Sequence, residues 1–238
     1  MLKIRVFRAM DFPEECMRYI NGHRKVLEAY GVTKVTSANV DWMYEPHSYI
    51  STVETEDEKV LAGCRVQVAG GDLPLPIESA INTLDTRIFG MIEHLRENGG
   101  TAELCGLWNS REIAGWGIGS IVMGQVGVAL VTQLPITTMV AFCAQATFKN
   151  CQRLGFTIKT ELGNNGTFYY PKEDLIATAL IIQDPDTLSS AHPEVRDRIM
   201  DLRHEPIQRT HEKGPKGEMD LDYNIRIQHT ALAVPNNA

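Results

Sequence analysis

From Ile113 to Phe148 the chain runs for 36 residues without one charged side chain. A membrane span asks for about 20 predominantly apolar residues. Here Gln125, Thr132, Gln133, Pro135, Thr137 and Thr138 interrupt the run, and no cluster of Lys or Arg flanks either end to orient it. The run therefore reads as a helix from about Gly117 to Gln133 followed by a strand from Pro135 to Cys143. Both are stripped of charge because they lie in the middle of an α/β core. No membrane partner is expected.

Strands and helices alternate around that centre. Leu2 to Phe7 mixes apolar and charged residues as a strand does. Asp11, with Pro13 and Glu14 behind it, opens a helix whose apolar positions Met17, Ile20, Val26, Leu27 and Tyr30 recur at helical spacing until Gly31. Strands near Ser48 to Thr55 and Lys59 to Val68 flank an acidic turn, Glu54 to Glu58. Gly70, Gly71, Pro74 and Pro76 make the next segment a loop. Asp85 to Asn98 reads as a helix closed by Gly99 and Gly100, Thr101 to Trp108 as a strand, and Ala146 to Leu154 as a helix ended by Gly155. Phe156 to Glu161 and Leu175 to Ile182 are two more strands. Residues 1–184 thus form one α/β domain. Residues 185–238 read as a charged C-terminal extension, with one amphipathic helix from His192 to His204. The last thirty or so residues read as a flexible tail, with an open loop at Lys213 to Gly217.

A chain of 238 residues with 43% hydrophobic side chains buries roughly 70 to 75% of its unfolded surface, so no disulfide or metal is needed to hold the core. Its 23 Lys and Arg against 30 Asp and Glu give a net charge of −7, with no dense basic run. That disfavours nucleic acid as a partner, because phosphate-backbone affinity comes from clustered cations. The five cysteines are odd in number and scattered, with no C-x-x-C pair and no His at zinc-ligand spacing. No metal is expected, and a reduced, cytoplasmic setting fits. The first residues offer no apolar core of a signal peptide.

The segment Ala114 to Ser120 sets three glycines between a strand and a long helix. Such a turn lets backbone approach a ligand, and the helix start offers free amides to an anion such as a pyrophosphate. The acidic residue a dinucleotide fold wants about twenty positions on is missing, as is a Walker lysine. With Arg153-Leu-Gly-Phe156 at the end of the following helix, and Gly117 and Gly119 in the turn, residues 100 to 160 resemble the acyl-CoA core of the GCN5-related N-acetyltransferase (GNAT) superfamily. That resemblance implies a mixed, mostly antiparallel twisted sheet that splays near its middle, with helices on both faces. It also implies acetyl-CoA or another acyl-CoA as cosubstrate, its pyrophosphate on the amides of Trp116, Gly117, Ile118, Gly119 and Ser120. Two positions depart from the family pattern. Ala114 replaces the Arg or Gln of the turn, and Cys151 replaces the usual Tyr general acid. A thiol near its ordinary pKa can protonate a departing thiolate; the same cysteine also reads as a small core residue.

Arg24-x-x-Val-Leu, Asp41-x-x-Tyr44-Glu45 before Tyr49-Ile50, and Gly63-Cys-Arg65-Val also resemble, in order and spacing, the acyl-homoserine-lactone synthases, which share the GNAT fold. Glu103 stands where those enzymes carry a Glu, but the Ser-Arg that follows theirs is Cys105-Gly106 here. Glu103 is the candidate base, because a carboxylate in an apolar strand has its pKa raised toward working pH; it also reads as a strand residue paired with an Arg. Arg24, Asp41 and Trp42 are candidates for holding the acceptor. The two charges also read as surface or helix-bridging residues, and Trp42, Trp108 and Trp116 read either as the lining of an acyl or acceptor pocket or as core. The reading is an acyltransferase that moves an acyl group, acetyl first, from a CoA thioester to a small-molecule amine. Two alternatives stay open: a lactone-synthase-like enzyme fed by acyl carrier protein, and a non-catalytic ligand-binding protein. The charged C-terminal segment is a candidate for covering the acceptor side or for joining two copies in a homodimer.

Overall fold

The computed structural model describes residues 1–29, 31 and 40–228. Tyr30, expected in the first helix, and the last ten residues of the expected tail lie outside them. Ten strands form one sheet: β1 (Leu2–Arg8), β2 (Ser48–Glu54), β3 (Val60–Val68), β4 (Thr101–Asn109), β5 (Thr138–Ala144), β6 (Thr157–Ile158), β7 (Thr167–Tyr169), β8 (Ile176–Ile182), β9 (Ile207–Gly214) and β10 (Gly217–Gln228). Their order is β6-β8-β5-β4-β3-β2-β1-β10-β9, with β7 also on β8. Among the described residues only β4 with β5 and β1 with β10 run parallel. The expected class, a mixed and mostly antiparallel sheet with helices on both faces, is the one found.

The charge-free run is the helical layer of one face. It begins as a π-type turn at Ile118–Val122, continues as α4 (Met123–Ala129) and ends as a 3₁₀ turn at Leu130–Gln133. Val126, Val128 and Leu130 are fully buried against Leu104, Met139 and Leu180 of the sheet. With α5 (Gln145–Arg153) and α6 (Pro193–His204) it covers one face; α1 (Pro13–Ala29), α2 (Pro76–Ile81) and α3 (Arg87–Glu97) cover the other. Because both faces are covered, β5 and β8 carry near-continuous apolar runs instead of alternation.

On the opposite face α1 approaches the sheet so closely that a Cβ on Gly22 would overlap the ring of Trp108. Alanine would gain about 1 kcal/mol of helix propensity there, but overpacking costs about 1 to 3 kcal/mol. Gly22→Val, which keeps the clash and gives up most of the propensity, is expected to lower the denaturation midpoint, as a urea titration would measure.

Several segments differ from the sequence expectation: the strand expected over Phe156 to Glu161 is only Thr157–Ile158, and β7 stands where no strand was expected. The loop around Pro76 contains α2, because Pro76 suits a first helical turn and the Glu78 carboxylate accepts the Leu75 N–H at 2.8 Å. The expected tail is instead a β-hairpin at the end of the sheet. β10 lies parallel to β1 in the register Leu2 with Leu221 and Ile4 with Tyr223. Leu221, Tyr223 and Ile225 are fully buried. α6 is tied to that hairpin through Glu212, whose Oε1 accepts from Tyr223 Oη at 2.6 Å and Arg198 Nη2 at 2.5 Å. The charges that suggested a tail sit on the exposed alternate positions and on the edge strand β9, where they discourage pairing with another chain.

Candidate functional site

β4 and β5 stay together only over Thr101–Glu103 and Thr138–Val140. Beyond that, β4 keeps to β3 and β5 keeps to β8, so the sheet opens in its middle. A bulge in β4 drives the parting: its register on β3 slips, and Gly106 adopts φ 57° while its carbonyl accepts the Tyr19 hydroxyl at 2.6 Å. A side chain at Gly106 would run into that hydroxyl. The opening is a cleft of about 340 Å³. Leu104, Ser120, Gly124, Cys151 and Leu154 line it on the α4 side, and His23, Leu27, Pro76 and Tyr170 on the α1 side. The main-chain groups on the facing edges of β4 and β5 have no strand partner across the gap.

Glu103, at the point where the strands part, is 2% exposed. Its Oε2 accepts the N–H of Ile77 at 2.7 Å, from the first turn of α2. Burial pushes its pKa up to about 8; the Ile77 bond and Arg65 pull the other way, and Glu78 adds to the rise. His23, also in the cleft lining, is pushed down to about 4 by burial and then by Arg65, so its ring is neutral. Arg65 on β3 is 1% exposed, stacks on the Trp42 ring at 4.1 Å and donates from Nε to Cys105 Sγ at 3.2 Å. Its Nη1 has no partner, and among the described residues no carboxylate lies within ion-pair distance of the guanidinium. Burial pushes the Cys105 thiol up to about 11, with Arg65 opposing.

The structure brings Glu103, Cys151 and Ser120 to one cleft and leaves the other candidates outside its lining. Arg24 is exposed on α1, one position from the inward His23, and Asp41 is exposed on a 3₁₀ turn at Asp41–Tyr44. Trp42 is core, edge-on to Tyr19 at 6.1 Å, and Trp108 is core with it. Trp116 and Ile118 line a separate concavity beside Met1, Leu2 and Met219. The glycines have packing reasons of their own. Gly115 and Gly117 take φ 83° and 84°, Lys216 from the β9–β10 turn donates to the Ala114 carbonyl at 2.5 Å, and a Cβ on Gly119 would strike Asn109. Ile118 to Ser120 still begin a helix, whose first N–H groups find no acceptor within it. The thiol of Cys151 is not near its ordinary pKa: its hydrogen bond with Cys143, and then burial, push it well up. His23 and Arg65 are site residues that the sequence reading left without a role. The signal for His23 was its place on the inward stripe Cys16, Tyr19, Ile20, His23 and Leu27 of α1.

No family model matches the chain, and no curated protein does at a significant level. Solved structures do. An N-acyl amino acid synthase from uncultured soil microbes, FeeM, superposes with a TM-score of 0.60 at 16% identity, over 80% of this chain and 95% of that one. The CoA-dependent acyl-homoserine lactone synthase BjaI gives 0.53 at 11% identity, over 98% and 96%. Escherichia coli ElaA gives 0.52 at 10%, over 76% and 99%. At such identities the likeness is one of fold alone, and it is the GNAT-like fold that the sequence resemblance implied.

Proposed function

We propose that the protein is an N-acyltransferase that moves an acyl group from a thioester to an amine. The observation that carries this reading is the parted sheet with a buried, proton-avid carboxylate where the strands separate. An extended thioester arm is matched to the gap in two ways. Its amides can pair with the free edges of β4 and β5, and its reacting carbonyl then comes level with Glu103. The apolar wall of Leu104 and Leu154 suits an acyl chain, and the helix start at Ile118 to Ser120 suits a phosphate. Ser120 alone of that turn borders the cleft, so the turn serves as the outer rim. The amine enters from the side of His23 and Tyr170. Its nitrogen attacks the thioester carbon, Glu103 takes its proton, the carbon–sulfur bond breaks, and the thiolate takes that proton back from Glu103 and leaves as a thiol. Cys151, whose raised pKa keeps its proton, turns that proton from its hydrogen bond with Cys143 toward the departing sulfur. Acyl-CoA is the favoured donor, acetyl-CoA its smallest form, with acyl carrier protein as the alternative presenter; no step calls for a metal.

The test is the melting temperature of the protein with CoA, acetyl-CoA, a long-chain acyl-CoA and acyl carrier protein in turn. A donor at 100 times its dissociation constant stabilises by about 2.7 kcal/mol. A rise with one thioester identifies the donor class. No rise with any of them removes the acyl-transfer reading.

A further inference from the structure

Cys105 and Arg65 have no role in direct attack by the amine, yet they form the least expected cluster in the molecule. Arg65 is a fully buried cation whose Nη1 meets nothing. A buried charge without a counter-charge costs several kcal/mol. Its Nε is committed to the sulfur of a half-buried cysteine that borders the cleft two residues from Glu103. Glu103 acts on Arg65 only at longer range, and a thiolate on Cys105 is the anion that would touch it directly.

We infer that Cys105 is a nucleophile that carries the acyl group as a covalent thioester between donor and amine. The inference rests on the acyl-transfer reading. Glu103 takes the Cys105 proton, and the sulfur forms a bond to the acyl carbon. The bond from that carbon to the donor sulfur breaks, and the donor thiolate recovers the proton from Glu103 and departs as a thiol. In the second half the amine nitrogen attacks the acyl-cysteine and gives its proton to Glu103. Cys105 leaves as a thiolate beside Arg65 and is reprotonated by Glu103. One thioester replaces another in the first step, so nothing is oxidised or reduced and no co-reactant enters. Burial opposes ionisation of this thiol and Arg65 favours it; the guanidinium is placed to lower the cost at the moment the sulfur carries charge. The bulge in β4 begins directly after Cys105, so the main chain is bent beside the residue that would carry the acyl group.

A covalent relay gives a signature that direct attack lacks: donor and free CoA exchange in the absence of any amine. Labelled CoA is mixed with acetyl-CoA, and separately with a long-chain acyl-CoA, using the full-length protein and Cys105→Ala. Incorporation of label into acyl-CoA by the wild type is expected, together with an acyl adduct on the Cys105 peptide in mass spectra. Cys105→Ala should show neither, while its melting temperature still rises with donor. A wild type that is stabilised by donor but exchanges no label overturns the inference and leaves the acyl-transfer reading standing. Exchange retained by Cys105→Ala, or an adduct mapped to Cys143 or Cys151, overturns it as well. If no thioester shifts the melting temperature, both fall together.

Discussion

Glu103→Gln is expected to lower turnover by about 10²- to 10⁴-fold, the usual contribution of a positioned base, while donor still raises the melting temperature as in the wild type. The amide keeps an oxygen for the Ile77 N–H and keeps the volume, so the fold has no reason to change. The pH profile sharpens the expectation. A base must be deprotonated to act, so wild-type kcat/KM should rise with pH through a midpoint near 8, and the residual rate of the variant should lack that limb. Stability moves oppositely. The folded pKa of Glu103 is raised from 4.5, so folding favours the protonated acid. The stability this group gives is complete below pH 4.5 and is lost as pH rises through about 8. Gln has no proton to lose, so the melting temperature of Glu103→Gln should overtake the wild type across that window and stay above it. A variant that loses activity without losing the alkaline limb would take Glu103 out of the role of base. Cys151→Ala should cost only a few-fold in rate, since its thiol contributes one hydrogen bond of about 1 kcal/mol.

What could be read from the sequence follows the range of each interaction. The uncharged run announced a helix and strand buried together because desolvating charge is costly wherever it occurs, and composition alone reports that. Glu103 was legible because a lone carboxylate in Ala102-Glu-Leu-Cys105 is anomalous against its neighbours. Arg65 was visible as a charge on β3, but its lack of an ion pair among the described residues, and its contact with Cys105, are properties of β3 against β4. The glycine turn misled in part. Glycines that admit a ligand and glycines that admit a neighbouring hairpin have the same sequence, and here Pro215 and Lys216 supply the close approach. Arg24 and His23 differ by one helical position, 100° of rotation, and the apolar stripe of α1 decided which one faced the cleft.

Ending the chain at Glu205 is expected to leave it unable to fold. Residues 207–228 were read as tail because charge fills Glu218, Asp220, Asp222 and Arg226, and an average over the segment is polar. The alternation Met219, Leu221, Tyr223, Ile225, Ile227 was present all the while, and a strict period of two with one apolar face is the pattern of a half-buried strand. Removing it uncovers Leu2, Ile4 and Val6 of β1 and deletes three fully buried side chains. Each such side chain is worth about 1.5 to 3 kcal/mol, so the direct loss is roughly 5 to 9 kcal/mol against a typical total of about 5 to 15. Further losses come from the Arg198–Glu212–Tyr223 cluster that anchors α6, and from the unpaired β1 edge. The truncated chain should therefore partition to the insoluble fraction, or lack a cooperative melting transition if kept in solution. Leu221→Ala and Ile225→Ala in the full-length chain separate packing from chain length, each costing about 2 to 5 kcal/mol in urea denaturation. A soluble, cooperatively melting chain ended at Glu205 would mean that β1 closes the sheet by itself and that the hairpin is an appendage.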